Sequence, residues 1–177
     1  YESRIFPYAF GNFQTPDIWW DEEKGRAVPY FTFVSSCQAA ELLVDNDKKE
    51  ISVLNLAAGH DIGKAVNPLY LQGQVYGGMV QGAGMALTED FVIEKGRVKS
   101  LNYNGYAIPK SVDFPDIDAM IIENDDPTSP MGCKGIGEPA LEITAPALAN
   151  ALYQATGERQ FSLPLRGYKL KAAGRTS

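Results

Sequence analysis

From Gly73 to Gly84 the chain reads Gly-Gln-Val-Tyr-Gly-Gly-Met-Val-Gln-Gly-Ala-Gly, five glycines in one short stretch. Asn67 ahead of it is a good N-cap, and Pro68 a good first helical residue. The pattern therefore predicts a helix from Pro68 to about Leu87. Glycine inside a helix costs roughly 1 kcal/mol relative to alanine. A helix that accepts this repeatedly needs close backbone approach. Gly73 and Gly77 stand one turn apart, and Gly78, Gly82 and Ala86 form a second ridge of small residues. Such ridges let another helix pack tightly. They also leave room for a flat cofactor, with Gln74 supplying amide donors and an acceptor.

A second segment, Lys134-Gly135-Ile136-Gly137-Glu138-Pro139, sets two glycines before a carboxylate and a proline. Gly135 and Gly137 let the backbone approach a bulky ligand. Pro139 opens an apolar, helix-like stretch through Leu141, Ile143, Leu148 and Leu152. Glu138 then lies at a helix start beside a cavity, a seat suited to a general base. An ordinary turn with a solvated acid in the first helical turn has the same local sequence.

The 177 residues suffice for one core, so one domain is expected. The sequence contains no run of eighteen apolar residues that would cross a membrane. It begins Tyr1-Glu2-Ser3-Arg4, without an initiator Met or a signal peptide, as a split subunit, a cleavage product or a partial chain would. A net charge of −6 argues against nucleic acid and against anionic membrane surfaces. The two cysteines, Cys37 and Cys133, form no C-x-x-C, which argues against an iron–sulfur cluster in this chain. Free thiols in a reducing cytoplasm are the simpler expectation. The lone His60 reads as a loop-end residue, and no residue is expected to ligate a metal.

Along the chain, residues 1–30 carry Pro7, Pro16, Pro29 and the Trp19-Trp20 pair. They read as an irregular lead-in with short extended pieces, with packing on the domain's own core the first reading of the tryptophans and an interface anchor the second. Tyr30–Ser35, Gln38–Val44 and Ile51–Leu56 read as strands, the last two joined at Asp45-Asn46-Asp47. Phe91–Ile93 and Arg97–Leu101 form a hairpin around Glu94-Lys95-Gly96. Ile117–Ile122 is a further strand. A last helix covers about Ala145 to Ala155, with Leu148, Leu152 and Ala155 on one face, and stops at Gly157. The fold class is α+β, with antiparallel strands and hairpins packed with two principal helices.

These segments together resemble the molybdenum-binding subunit of the xanthine dehydrogenase and aldehyde oxidase family, in its C-terminal part. The resemblance is carried in order by Val44-Asp45 with Ile51-Ser52-Val53-Leu54, then His60-Asp61-Ile62-Gly63-Lys64-Ala65-Val66-Asn67-Pro68, then Gly73 to Gly84. Tyr103-Asn104 through Tyr106-Ala107-Ile108-Pro109, Lys134 to Pro139, Ala147-Leu148-Ala149-Asn150-Ala151 and Leu163-Pro164-Leu165 follow. It covers nearly everything after about residue 30. It implies that the chain is part of a larger molybdopterin-binding domain.

The resemblance implies molybdenum hydroxylase chemistry at a purine, N-heteroaromatic or aldehyde carbon, with xanthine or another purine the leading substrate. The implied cofactor is molybdopterin, plain or as the cytosine dinucleotide, holding molybdenum. Glu138 matches the family's general base, which takes the proton of the molybdenum-bound hydroxyl, and burial in a dry pocket would raise its proton affinity. Gln74 matches the glutamine that hydrogen-bonds the pyranopterin, with capping of a nearby backbone group as its alternative role. Gly73, Gly135 and Gly137 would lie against the cofactor, and Gln81 and Tyr106 could line the cavity. The implied partners are the remainder of the molybdenum-binding subunit, iron–sulfur and flavin (FAD) subunits, and a small-molecule substrate. Two other readings stay open. One is a non-catalytic assembly module. The other is a hydrolase pairing Glu138 with Asp61 or Glu142, which needs the carboxylates roughly 5–10 Å apart.

Overall fold

Strand β4, Glu50–Asp61, is the hub of the molecule in a computed structural model that describes residues 7–172. Upstream, β1 (Trp19–Asp21) and β2 (Arg26–Val28) pair as a small antiparallel hairpin. Strand β3, Ser36–Asp45, runs antiparallel to β4 from Ser36↔His60 to Asp45↔Glu50. The opposite edge of β4 takes two parallel partners. Its upper half pairs with β7 (Ile117–Ile122), and its lower end with β8 (Lys169–Leu170). The class is α+β as expected, with a central sheet of mixed direction.

Apolar alternation puts Ile51 and Val53 inward, then changes parity, so that Leu56, Ala58 and His60 are the buried set. The change coincides with a register shift, Glu41↔Asn55 giving way to Leu42↔Val53, which leaves Leu54 as an extra residue. A bulge of this kind re-aims every later side chain. It explains why His60 is fully buried in a strand instead of ending a loop. Among the described residues nothing pairs with Tyr30–Ser35 as a strand. Asp61 still donates to the Ser35 carbonyl, and then the chain turns at Gly63 (φ +63).

Helix α1, Pro68–Leu87, is the predicted glycine-bearing helix, with the Asn67 side chain capping Tyr70 N–H. A two-stranded hairpin follows, β5 (Ile93–Glu94) and β6 (Arg97–Val98). Its turn is a tight one at Lys95 and Gly96, both at positive φ (49° and 75°), and its ladder is shorter than expected, with Val92 N–H donating to the Ser100 hydroxyl instead of a strand carbonyl. The helical stretch after Pro139 is two helices. A four-residue α2 (Pro139–Glu142) is followed, after a break at Ile143, by α3 (Thr144–Thr156). In a continuous helix Pro146 would clash with the Glu142 carbonyl, so the helix restarts with Pro146 in its first turn. Gly157 closes α3 in the left-handed conformation, as predicted.

The core lies between the sheet and the helices. Val75, Met79, Ala83 and Ala86 of α1 and Leu148 and Leu152 of α3 meet the inward residues of β4. Ala155 is exposed, so the α3 core face ends at Leu152. The other face of the sheet is open and shows Cys37, Ala39 and Leu43 from β3 and Met120 from β7. The lead-in is irregular over residues 7–18, and residues 1–6 lie outside the described part. Trp19 (53%) and Trp20 (62%) are exposed and do not pack on the core. They sit on a two-strand hairpin too small to bury them.

Candidate functional site

The two segments singled out in the sequence meet in space. The Gln74 side-chain amide donates to the Gly137 carbonyl over 2.7 Å, joining α1 to the Gly135–Glu138 loop. Beside this contact lies a crevice of about 430 Å³, walled by Asn67, Tyr70 and Gln74 on one side and by Lys134, Ile136 and Gly137 on the other.

The glycines of α1 divide into two sets. A Cβ at Gly78 would lie 2.5 Å from the Cβ of Ala140, and one at Gly82 would lie 2.7 Å from the Leu141 carbonyl oxygen. That ridge exists for packing of α1 on α2 and the start of α3. Gly73 and Gly77 face open space, with nothing within 4 Å of an added Cβ, and the same holds for Gly135 and Gly137. Packing inside this chain does not explain glycine at those four positions.

Glu138 is the N-cap residue of α2, yet its side chain makes no capping hydrogen bond and it is exposed. Within this chain it is not in a dry pocket, because the glycines on its N-terminal side have no side chains to cover it. Gln74 performs the backbone-capping role that was its alternative. Gln81 is exposed and does not line the crevice. Tyr106 is at the other end of α1, donating to Glu89 and meeting Phe91 edge-on.

The loop that carries Glu138 is anchored by residues to which the sequence had assigned no role together. Lys134 N–H donates to the Ile62 carbonyl (2.9 Å), Lys64 N–H donates to the Gly132 carbonyl (2.8 Å), and Gly63 bridges Cys133. The Lys134 ammonium lies 2.9 Å from Asp61 Oδ2, with the two side chains only 8% and 15% exposed. Gly63 N–H and the Asn124 amide also donate to the Asp61 carboxylate. The Lys134 ammonium beside Asp61 holds its carboxyl below the ordinary range, against the opposing pull of burial. Asp61, one of the two acids considered as a hydrolase partner for Glu138, is thus committed to a lysine. Further along, the Gln38 amide donates to the Ala140 carbonyl (2.7 Å) and Thr144 Oγ1 donates to Gln38 Oε1 (2.6 Å), tying α2 and α3 to β3. Lysine and aspartate were legible as motif members, but their pairing across the fold had no local signal. His60, inside the core, has neither ring nitrogen hydrogen-bonded, and burial pushes its pKa down.

Residues 6–115 match the molybdopterin cofactor-binding domain family, which is well over half of the sequence. The chain is 35% identical over 136 residues to the xanthine dehydrogenase molybdenum-binding subunit of Escherichia coli O157:H7, covering 76% of this chain and 18% of that protein. It is 34% identical over 147 residues to an aldehyde oxidoreductase of Megalodesulfovibrio gigas, covering 81% of this chain and 16% of the relative. The crystal structure of the aldehyde oxidoreductase from Desulfovibrio desulfuricans superposes with a TM-score of 0.78 at 31% identity, over 86% of this chain and 17% of that one. The chain belongs to the molybdopterin cofactor-binding domains of the xanthine dehydrogenase and aldehyde oxidoreductase family. It spans under a fifth of the length of these curated relatives. Among the described residues no helix is long and apolar enough to cross a membrane.

The residues present fit one wall of a site for the family's cofactor. Gly137, open to an added Cβ, lines the crevice together with the Gln74 side-chain amide. Such a wall offers flat access and polar recognition to a fused, hydrogen-bonding ring system.

Proposed function

We propose that this chain is the C-terminal portion, over residues 1–177, of an aldehyde oxidase/xanthine dehydrogenase-type molybdopterin-binding domain, with residues 1–30 as its lead-in. The complete enzyme is a molybdenum hydroxylase. The observation that carries this reading is the Gln74–Gly137 contact, which places the glycine-bearing helix against the Glu138 loop. Gln74 and the backbone at Gly73, Gly135 and Gly137 hold the pterin, in its plain or cytosine dinucleotide form. When bound, the molybdenum cofactor supplies two-electron oxidation of a substrate carbon, with water as the oxygen source.

Glu138 is the general base of this reading. Its carboxylate accepts a proton as the water-derived oxygen is passed to the substrate. The substrate is a small molecule with an electron-poor carbon. Relatives are named for xanthine, for aldehydes and for nicotinate, and a purine is our first choice.

The remainder of the molybdenum-binding subunit is the principal partner. The open sheet face and the exposed aromatics of the lead-in, such as Phe10 and Trp20, are of a kind that needs covering. Iron–sulfur and FAD-bearing subunits or domains complete the electron path, and the assembly is cytoplasmic.

The test is Glu138→Gln in the complete complex, with molybdenum measured per mole of chain. Molybdenum content should stay near wild type while turnover falls by on the order of 10²–10⁴. Wild-type turnover at equal molybdenum content would refute the assignment.

A further inference from the structure

We propose that the Lys134–Asp61 ion pair is a positioning device that fixes where the Gly135–Gly137 segment leaves the sheet and so holds Glu138 beside the crevice. The inference rests on the proposed role of Glu138.

Three observations carry it. The pair is the shielded one among the ion pairs of the described residues: its side chains are 8% and 15% exposed, against 51% and 43% for Lys64–Glu123 and 65% and 39% for Arg166–Asp90. A shielded pair is weak as a source of stability, since apolar replacements often serve as well, but it is strict about geometry. Second, the glycines between Lys134 and Glu138 supply no side-chain restraint of their own. Gly135 and Gly137 have no side chains, and nothing in the chain stands within 4 Å of where a Cβ would be. The Glu138 side chain makes no capping bond, so its place follows from the backbone alone. Third, that backbone is pinned on both sides of the glycines. Lys134 holds the entry through Asp61 and the Ile62 carbonyl, and Gln74 holds Gly137 at the exit. Lys134 stands four residues before Glu138, so a change in its path passes directly into the position of the carboxylate.

The experiment uses the complete enzyme with three changes: Lys134→Met, the double variant Asp61→Asn/Lys134→Met, and Glu138→Gln as reference. Thermal midpoint, molybdenum content, kcat, KM and hydrogen–deuterium exchange of the peptide spanning residues 134–140 are measured. Lys134→Met alone leaves Asp61 buried without its cation and should lower the midpoint. The double variant removes both charges and should recover it. If the pair positions Glu138, kcat stays low in both variants, by on the order of 10²-fold for a displacement near 1 Å, with KM little changed at equal molybdenum content. Exchange at residues 135–138 is faster in both. Recovery of kcat together with the midpoint in the double variant would show a merely structural pair and overturn the inference, as would unchanged exchange. An inactive Glu138→Gln beside a fully active Lys134→Met overturns the positioning role and leaves the base standing. An active Glu138→Gln overturns both.

Discussion

Gly77 and Gly78 are neighbours on one helix, and the structure predicts opposite responses to the same added methyl. At Gly78 the new Cβ would lie 2.5 Å from Ala140 Cβ and 3.0 Å from the Ala140 carbonyl carbon. No rotamer relieves those contacts, so α1 and α2 must separate. Overpacking of this kind costs about 1–3 kcal/mol. Against it stands roughly 1 kcal/mol of gained helix propensity. Gly78→Ala should therefore be neutral at best and lose about 2 kcal/mol at worst. At Gly77 nothing lies within 4 Å of the added Cβ, so only the propensity gain of about 1 kcal/mol remains. The two variants should differ by about 1–3 kcal/mol, or roughly 2–4 °C in Tm for each kcal/mol in a domain of this size. Thermal and urea unfolding followed by circular dichroism read the difference. Equal shifts in the same direction would refute the division of α1 into a packed and an open ridge. Gly73→Ala adds the functional half. It should stabilise the chain as Gly77→Ala does, yet lower the molybdenum content of the complete complex if the open ridge seats the pterin.

Two further outcomes are expected. Thr144→Val removes the hydroxyl that donates to Gln38 Oε1 and should cost about 1–3 kcal/mol in urea unfolding, while an unchanged midpoint would show that the junction of α2 and α3 does not depend on it. Burial holds the His60 pKa below its ordinary 6.5, so its contribution to stability is complete above that pH. Below it the unfolded chain takes up the proton more readily than the folded one, and stability falls as pH drops toward the folded pKa. His60→Leu should flatten this slope in a pH series of unfolding midpoints, and an unaltered slope would assign the acid sensitivity to other groups.

What could be read in the sequence was what local chemistry dictates. Asn67-Pro68 announced the start of α1, Gly157 the end of α3, and alternation the strands around Asp45-Asn46-Asp47. The ordered motifs were enough for the family. What escaped were consequences of one segment meeting another. Leu54 carries no mark of the bulge that turns His60 inward, because the bulge exists only against β3. The parallel partners of β4 arrive from far along the chain and leave no turn signal. Pro146 did mark the break after α2, but apolar spacing across Ile143 masked it. Of the residues named for the site, Gln74 and Gly137 line the crevice, Gly135 and Glu138 stand next to its lining in sequence, and Gly73 is not part of it. Gln81 and Tyr106 were grouped with them by sequence context and are elsewhere. Asp61 and Lys134 were both in view without the distance that joins them.

The pairing of β4 with β8 has a consequence for the order in which the chain can fold. The β3–β4 hairpin needs only contacts across a short turn and can form early. Its partner at Glu50 and Ile51 is residues 169 and 170, so one end of the hub strand stays an open edge until that far-downstream segment arrives. Such distant parallel pairing is slow to form. During that interval the Ile51 end of β4 is available to any passing strand, which makes association of incomplete chains the characteristic hazard of this topology.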